Sequence, residues 1–198
     1  MTTLAAVVAA YLIGAVPVGF LIARAFGIGD IRRQGSGNIG ATNVLRTAGR
    51  LPALLTLVGD IAKGYVAVAA GGVLGGGAPE ITAAATVAAI VGNCWSVFLL
   101  FRGGKGVATG LGAFLKLVPL AALPAAVTWL AVTLTFRYVS LGSLLAALCV
   151  PLGALLFGYP PATVAACVVA TAVVVLRHHE NIARLLAGTE RRLGERRA

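Results

Sequence analysis

The chain of 198 residues is 59% hydrophobic and only 11% charged, and its formal net charge is +10. Because a soluble domain carries about 25% charged residues, this composition excludes a water-soluble globular fold, and its hydrophobicity excludes a disordered chain. The apolar surface must therefore face lipid. The basic excess favours anionic headgroups or anionic substrates as partners over nucleic acid.

Apolar segments of membrane-spanning length define the predicted elements. A span needs about 20 apolar residues, and charge-free segments occur at 4–23, 81–101, 117–136 and 138–176. The last is long enough for two helices, with a turn marked by glycine and proline at 158–161. The segment 4–23 has no basic region before it, so it is predicted to be an uncleaved first helix rather than a signal peptide.

Two further apolar segments are less regular. The segment 51–74 is interrupted by Asp60 and Lys63, and ionisable groups at membrane depth are costly and usually face the interior of the helix bundle. At a spacing of three residues the two can pair, either as a structural ion pair or as part of a substrate site. The segment 107–115 is short and is predicted to be either a short span or a re-entrant piece.

The distribution of basic residues between loops predicts the topology. The segment 24–50 holds five arginines and the tail from Arg177 holds six, whereas the connections at 75–80, 116–119 and 158–161 hold one lysine in total. With seven spans all the basic loops fall on the cytoplasmic side, whereas six spans would divide them. We therefore predict an all-α polytopic protein with seven transmembrane helices, an outside N-terminus and a cytoplasmic C-terminus. Residues 1–198 are expected to form a single domain.

Two glycine-rich basic motifs are predicted to hold phosphate. The first glycine motif reads GSGNIGATNVLR at 35–46. Its glycines let backbone amides approach an anion, and Arg46 can clamp a phosphate. The second glycine motif reads FRGGKGVATG at 101–110 and resembles a phosphate-binding helix start. It is not a Walker A motif, because Leu99 and Gly106 stand where glycine and Ser or Thr are required. The alternatives are a flexible loop and an ordinary basic turn.

Two later segments add polar side chains. Ser140 and Ser143, in RYVSLGS at 137–143, share a helix face, although serines at helix starts are usually caps. His178 and Asn181, in the segment from 177 to 184, are three residues apart, so a general base or an oxyanion partner would suit this position. The alternative is an amphipathic segment lying among headgroups. Three scattered cysteines argue against a disulfide framework or a metal site.

Together, the two glycine motifs, RYVSLGS at 137–143 and RHHENIARLLAGTE at 177–190 resemble the bacterial acyl-phosphate:glycerol-3-phosphate acyltransferase family, which initiates phospholipid synthesis. The resemblance implies an enzyme of the bacterial inner membrane with its site at the cytoplasmic face and no metal or cofactor. It assigns catalysis to Ser36, His178 and Asn181. The substrate-binding residues that it implies, with the glycine backbone included, are Ser36, Gly37, Asn38, Arg46, Gly103, Gly104, Lys105, Gly106, Ser143, His178 and Asn181.

The expected reaction is attack of the 1-hydroxyl of sn-glycerol 3-phosphate on an acyl phosphate, giving 1-acyl-glycerol 3-phosphate (lysophosphatidic acid) and phosphate. The base is either His178 or an oxygen of the acyl phosphate. A soluble enzyme that makes acyl phosphate would be an upstream partner by family analogy. The sequence departs from the family at Asn93 and Ser96, where histidine and proline are usual. The competing classes are a transporter of a phosphorylated small molecule and a non-catalytic scaffold that binds anionic lipid.

Overall fold

The computed structural model describes residues 2–195, which form an all-helical protein, as predicted. The helices within this range are α1 (Thr2–Ala15), α2 (Val18–Ala25), α3 (Ala41–Ala48), α4 (Arg50–Leu74), α5 (Pro79–Cys94), α6 (Val107–Leu117), α7 (Pro119–Phe136), α8 (Val139–Leu156), α9 (Pro161–Arg177) and α10 (His179–Leu186). Two short 3-10 turns lie at Ile31–Arg33 and Val97–Leu99.

Five helical segments within the described residues are long and apolar enough to cross a membrane. They are Thr2–Ala25, Arg50–Leu74, Pro79–Leu99, Pro119–Phe136 and Val139–Leu156. A sixth candidate is α9 with α10, which meet at a bend of 61°. The helix α6 has only 11 residues and is therefore about 16 Å long, roughly half the thickness of a bilayer core. The seven crossings and their orientation remain predictions.

The first span is broken rather than continuous. The segment 4–23 was predicted to form one helix, but α1 ends at Ala15 and α2 begins at Val18, with Pro17 between them. Proline has no N–H to continue the helical hydrogen bonds. The break leaves the Val16 carbonyl available, and Lys63 Nζ donates to it at 2.7 Å. The break thus brings the backbone of the first span into contact with α4.

Small residues allow the helices to approach closely. A side chain at Gly92 of α5 would collide with the Tyr11 carbonyl of α1, and one at Gly112 of α6 would collide with the Ile61 carbonyl of α4. Close contact at small residues is the usual way in which membrane helices pack, because lipid supplies no hydrophobic force between them. The α4–α6 contact fixes the middle of α6 against the middle of α4.

The segment after α10, residues 187–195, folds back toward the turn between α7 and α8. The Leu193 N–H donates to the Arg137 carbonyl at 2.6 Å, and Arg137 Nη2 donates to the Leu193 carbonyl at 2.7 Å. Arg192 lies over the Tyr138 ring, 5.4 Å from its centre. These contacts carry Glu190 inward toward Ser140 and Asn181.

Candidate active site

One cavity of about 1180 Å³ lies where the basic loops meet. It is lined by residues of the two glycine motifs, of the start of α8 and of the α9–α10 junction. Every site residue predicted from the sequence lies in this lining: Ser36, Gly37, Asn38, Arg46, Gly103, Gly104, Lys105, Gly106, Ser143, His178 and Asn181. Segments as far apart in sequence as 36 and 181 are therefore brought together.

The first glycine motif is shaped by the buried Asn43. Its Oδ1 accepts a hydrogen bond from the Ser36 N–H at 2.8 Å, and its Nδ2 donates to the Asn38 and Gln34 carbonyls at 2.8 and 3.1 Å. The Asn38 side chain accepts the Gly40 N–H at 2.8 Å. Asn38 lines the cavity, but its amide oxygen serves the loop. Sequence reasoning missed Asn43 as a site-forming residue, although it lies within the motif.

The second glycine motif is tied to the end of α5. The Gly104 N–H donates to the Asn93 carbonyl at 2.8 Å, and the Gly103 N–H donates to the Cys94 carbonyl at 3.2 Å. Arg177 donates to the Gly104 carbonyl at 3.2 Å from the other side. The motif ends at Gly106, whose φ of 81° suits glycine, and α6 follows directly. The free amides at the start of α6 therefore border the cavity, as an anion site requires.

Lys105 and Asn181 meet inside the cavity, since Lys105 Nζ donates to Asn181 Oδ1. Burial lowers the pKa of Lys105 below its ordinary value, and the nearby charge of Arg184 acts in the same direction. An anion bound beside this ammonium would stabilise its charged form. The pair links the second glycine motif to α10, as expected if both serve one site.

Glu190 is a buried acceptor that sequence reasoning did not single out. Its Oε1 accepts from Asn181 Nδ2 at 2.6 Å and from the Ser140 hydroxyl at 2.8 Å, and its Oε2 accepts from Arg184 Nε at 2.7 Å. Burial alone would raise its pKa, but the hydrogen bonds from Arg184, Asn181 and Ser140 outweigh burial and hold the pKa below its ordinary value. Glu190 thus joins α8, α10 and the folded-back segment.

His178 lies between α9 and α10, just beyond the spanning helix, and is buried. Its Nδ1 lies 2.7 Å from the Val174 carbonyl, a contact that requires a proton on Nδ1. In the neutral ring Nε2 is then the acceptor. Burial lowers the pKa of His178 to about 4, despite the opposing effect of the Val174 hydrogen bond. His178 is therefore neutral at pH 7 in this structure.

Ser143, in the second turn of α8, is also buried. Its hydroxyl donates to the Val139 carbonyl at 2.8 Å and accepts from Trp129 Nε1 at 3.2 Å. Neither Ser140 nor Ser143 caps α8, since Tyr138 occupies the cap position. The Ser140 hydroxyl instead binds Glu190. The hydrogen bond from Trp129 holds the Ser143 hydroxyl at the cavity wall.

Asp60 and Lys63 form an ion pair at 2.7 Å, and both side chains are buried. Lys63 Nζ also donates to Asn93 Oδ1 at 2.9 Å, so the asparagine found where the family usually has histidine is an acceptor for Lys63. At the other departure from the family, the Ser96 hydroxyl donates to the Ala15 carbonyl at 2.6 Å, next to the break in the first span. Of the ion pair, Asp60 lines the cavity.

The two ends of the cavity differ in chemistry. Its lining includes eight basic and four acidic side chains, which leaves an excess of positive charge. Its remaining wall is apolar and largely made of small residues from α6 to α9: Phe114, Ala122, Ala125, Ala126, Ala146, Ala147, Val150 and Val174. A cationic mouth, formed by Arg46, Arg102, Lys105, Arg177 and Arg184, is joined to this apolar wall. Such a cavity suits an amphiphile with an anionic head.

Comparison with known proteins agrees with this geometry. The family model for glycerol-3-phosphate acyltransferase matches residues 4–188. The chain belongs to the glycerol-3-phosphate acyltransferase family. Among its relatives, the glycerol-3-phosphate acyltransferase of Trichlorobacter lovleyi is 49% identical over 91% of this chain and 92% of its own length. Glycerol-3-phosphate acyltransferase 2 of Moorella thermoacetica is 50% identical over 98% of both chains.

The fold agrees with that of a solved acyltransferase. The crystal structure of PlsY (YgiH), described as an integral membrane glycerol 3-phosphate acyltransferase in its glycerol 3-phosphate form, superposes with a TM-score of 0.91 at 38% identity, over 98% of this chain and 96% of that one. Its lysophosphatidic acid form gives a TM-score of 0.89 at 37% identity, with the same coverage. The resemblance inferred from the sequence motifs is confirmed, and the chain is an integral membrane acyltransferase of lipid biosynthesis.

Proposed function

We propose that this protein transfers an acyl group from acyl phosphate to the 1-hydroxyl of sn-glycerol 3-phosphate, giving 1-acyl-glycerol 3-phosphate and phosphate. The observation that carries the proposal is the single cavity in which two glycine motifs and an excess of basic side chains adjoin an apolar wall. A solved relative described in glycerol 3-phosphate and lysophosphatidic acid forms supports the acceptor and the product.

Two phosphate-bearing substrates in one site repel each other, and donors fixed in advance must offset that repulsion. The start of α6 with Lys105 supplies one set of donors, and the first glycine motif with Ser36 and Arg46 supplies the other. Asn181 holds Lys105, and Ser143 and His178 complete the polar wall. The apolar wall receives the acyl chain. The acceptor hydroxyl and the acyl carbon therefore meet where the polar and apolar parts of the cavity join.

The chemistry requires one bond to form and one to break. The acceptor hydroxyl oxygen bonds to the acyl carbon, and the bond from that carbon to the phosphate oxygen breaks, with its electron pair leaving on phosphate. The hydroxyl proton passes to a phosphate oxygen or to Nε2 of His178. A pKa of about 4 makes His178 a weak base, whereas the departing phosphate becomes more basic as its bond to the acyl carbon breaks. This difference favours proton uptake by the substrate phosphate.

We also propose seven crossings, with the cavity at the cytoplasmic face of a bacterial inner membrane. The short α6 counts as one of these crossings. It begins at the cavity, because it directly follows the second glycine motif. The C-terminus and the basic segment 24–50 then share the cytoplasmic side, as the positive-inside rule requires. The whole chain acts as one acyltransferase domain, and a soluble enzyme that makes acyl phosphate is its proposed supplier.

The test uses purified protein in lipid vesicles, supplied with glycerol 3-phosphate and either palmitoyl phosphate or palmitoyl-CoA. Formation of 1-palmitoyl-glycerol 3-phosphate with release of phosphate from the first donor, and no acyl transfer from the second, supports the proposal. Transfer from palmitoyl-CoA would overturn the choice of donor. Uptake of glycerol 3-phosphate into the vesicles without any acyl product would support a transporter instead.

A further inference from the structure

One carboxylate of the cavity, that of Asp60, has no function in the proposed reaction as described so far. Four acidic side chains line the cavity within residues 2–195. Asp30 pairs with Arg32 at 2.8 Å, and Glu180 and Glu190 pair with Arg184 at 3.8 and 2.7 Å. Those three belong to the loops and to α10. The fourth, Asp60, projects from within the spanning helix α4.

The position of Asp60 is the inner end of the polar part of the cavity. It follows the start of α4 at Arg50 by ten residues, or about 15 Å. Gly64, one turn further along α4, packs against the Thr109 backbone in the first turn of α6. Asp60 therefore lies beside the start of α6, deeper than the cationic mouth and next to the apolar wall.

One carboxylate oxygen of Asp60 is free to accept a hydrogen bond. Lys63 has three N–H donors, and it uses them on Asp60 Oδ1, the Val16 carbonyl and Asn93 Oδ1. No group within residues 2–195 donates a hydrogen bond to the other Asp60 oxygen. Asp60 lines the cavity, so a donor from a bound substrate can reach this free acceptor, and a hydrogen bond to a charged acceptor is among the stronger ones.

The acceptor substrate supplies such a donor. Its phosphate needs donors, which the cavity offers in number, whereas each glycerol hydroxyl also needs an acceptor for its own proton. Resting on the proposed function, we propose that Asp60 accepts a hydrogen bond from a glycerol hydroxyl of the acceptor. The substrate is then held with its hydroxyl end toward Asp60 and its phosphate toward the mouth, because the carboxylate repels the phosphate. This orientation directs the hydroxyl end toward the apolar wall that receives the acyl chain.

A double-variant experiment separates substrate contact from a structural ion pair. Asp60→Asn, Lys63→Met and the pair Asp60→Asn/Lys63→Met are compared with the wild type for kcat and KM of each substrate. Glu180→Gln is the matched control, because it removes an acidic charge from the same cavity at an exposed position. Thermal unfolding of each variant in detergent checks the fold. The double variant exchanges a buried ion pair for neutral groups of similar volume, a change that is often tolerated.

Loss of a hydrogen bond to a charged acceptor lowers kcat/KM for glycerol 3-phosphate by about 10- to 100-fold. We expect this loss in Asp60→Asn and in the double variant, with the KM for acyl phosphate within about twofold of wild type and Glu180→Gln unaffected. Recovery of the double variant to wild-type activity would overturn the proposal, because the carboxylate would then serve only Lys63. An equal loss for both substrates would also overturn it.

Inhibition by propyl phosphate, which lacks both hydroxyls, gives an independent readout. The wild type should bind glycerol 3-phosphate about 10-fold or more tightly than propyl phosphate, and Asp60→Asn should lose that preference. An unchanged preference in Asp60→Asn contradicts the proposal. A wild-type protein that transfers no acyl group would instead refute the proposed function, so the two failures are distinguishable.

Discussion

Replacement of Glu190 by glutamine tests whether the folded-back segment holds the site together. In the wild type, one carboxylate oxygen accepts from Asn181 and Ser140 and the other accepts from Arg184. The glutamine amide keeps one acceptor oxygen but turns an N–H₂ group toward a guanidinium donor. The charge-assisted bond to Arg184 is therefore lost.

The structure gives a magnitude for this loss. A hydrogen bond to a charged partner contributes about 1.5–3 kcal/mol, and the Glu190 side chain is only 8% exposed, so solvent compensates little. We expect Glu190→Gln to lose about 2 kcal/mol of stability, which in a chain of this size lowers Tm by about 4–8 °C. Because Asn181 is then less well held beside Lys105, kcat/KM should fall by about tenfold.

The assay is thermal unfolding in detergent together with steady-state kinetics. Glu180→Gln is the control, since Glu180 contacts the same Arg184 at 3.8 Å but is 68% exposed, and exposed pairs contribute only about 0–1 kcal/mol. The pKa of Glu190 is lowered by folding, so its contribution is complete at neutral pH and disappears as the pH falls through the folded-state pKa. The Tm difference between wild type and Glu190→Gln should shrink over that range. Equal Tm and activity at pH 7 would refute this role for Glu190.

Three further predictions concern the cavity and the helix contacts. His178→Gln should keep the rate of the chemical step within about tenfold in single-turnover measurements, while the KM for glycerol 3-phosphate rises. The reason is that a histidine with a pKa of about 4 is a weak base. A loss of several orders of magnitude in the chemical step would make His178 the base. Lys105→Met should lower kcat/KM by about 100-fold, whereas Lys116→Met at the other end of α6 should change it less than about twofold; equal effects would show that Lys105 has no special role. Gly112→Ala should lower Tm because the new methyl meets the α4 backbone, and Gly110→Ala, whose methyl would be in ordinary contact at 3.6 Å, should unfold close to wild type; the reverse order would contradict the α4–α6 contact.

The sequence predicted the helices well where the pattern was long and apolar. The segment 51–74 corresponds to α4 at Arg50–Leu74 despite its two charges, and the turn at 158–161 separates α8 from α9. The predicted short element at 107–115 is α6. Hydrophobicity could not locate the break after α1, because proline is common in membrane helices and only its neighbours decide whether it kinks or ends one.

The predicted site residues converge on one cavity, as expected if the basic loops share one side of the membrane. Their partners were harder to predict, since the role of Glu190 depends on residues 187–195 folding back over more than fifty residues of chain to reach Arg137. Composition alone would assign an acidic residue in a basic tail to solvent. The role of Asn93 is likewise set by a lysine thirty residues away, a separation that no local pattern encodes. Local chemistry was thus predictable, whereas long-range hydrogen bonds were not.

The most direct test of the proposed acyl transfer is to follow both products from the purified protein. Palmitoyl phosphate and glycerol 3-phosphate should yield 1-palmitoyl-glycerol 3-phosphate and inorganic phosphate in equal amounts, measured by mass spectrometry and by phosphate assay, and Lys105→Met should lower both together. Phosphate release without the acylated product, or an acylated product that does not require palmitoyl phosphate, would contradict acyl transfer from acyl phosphate.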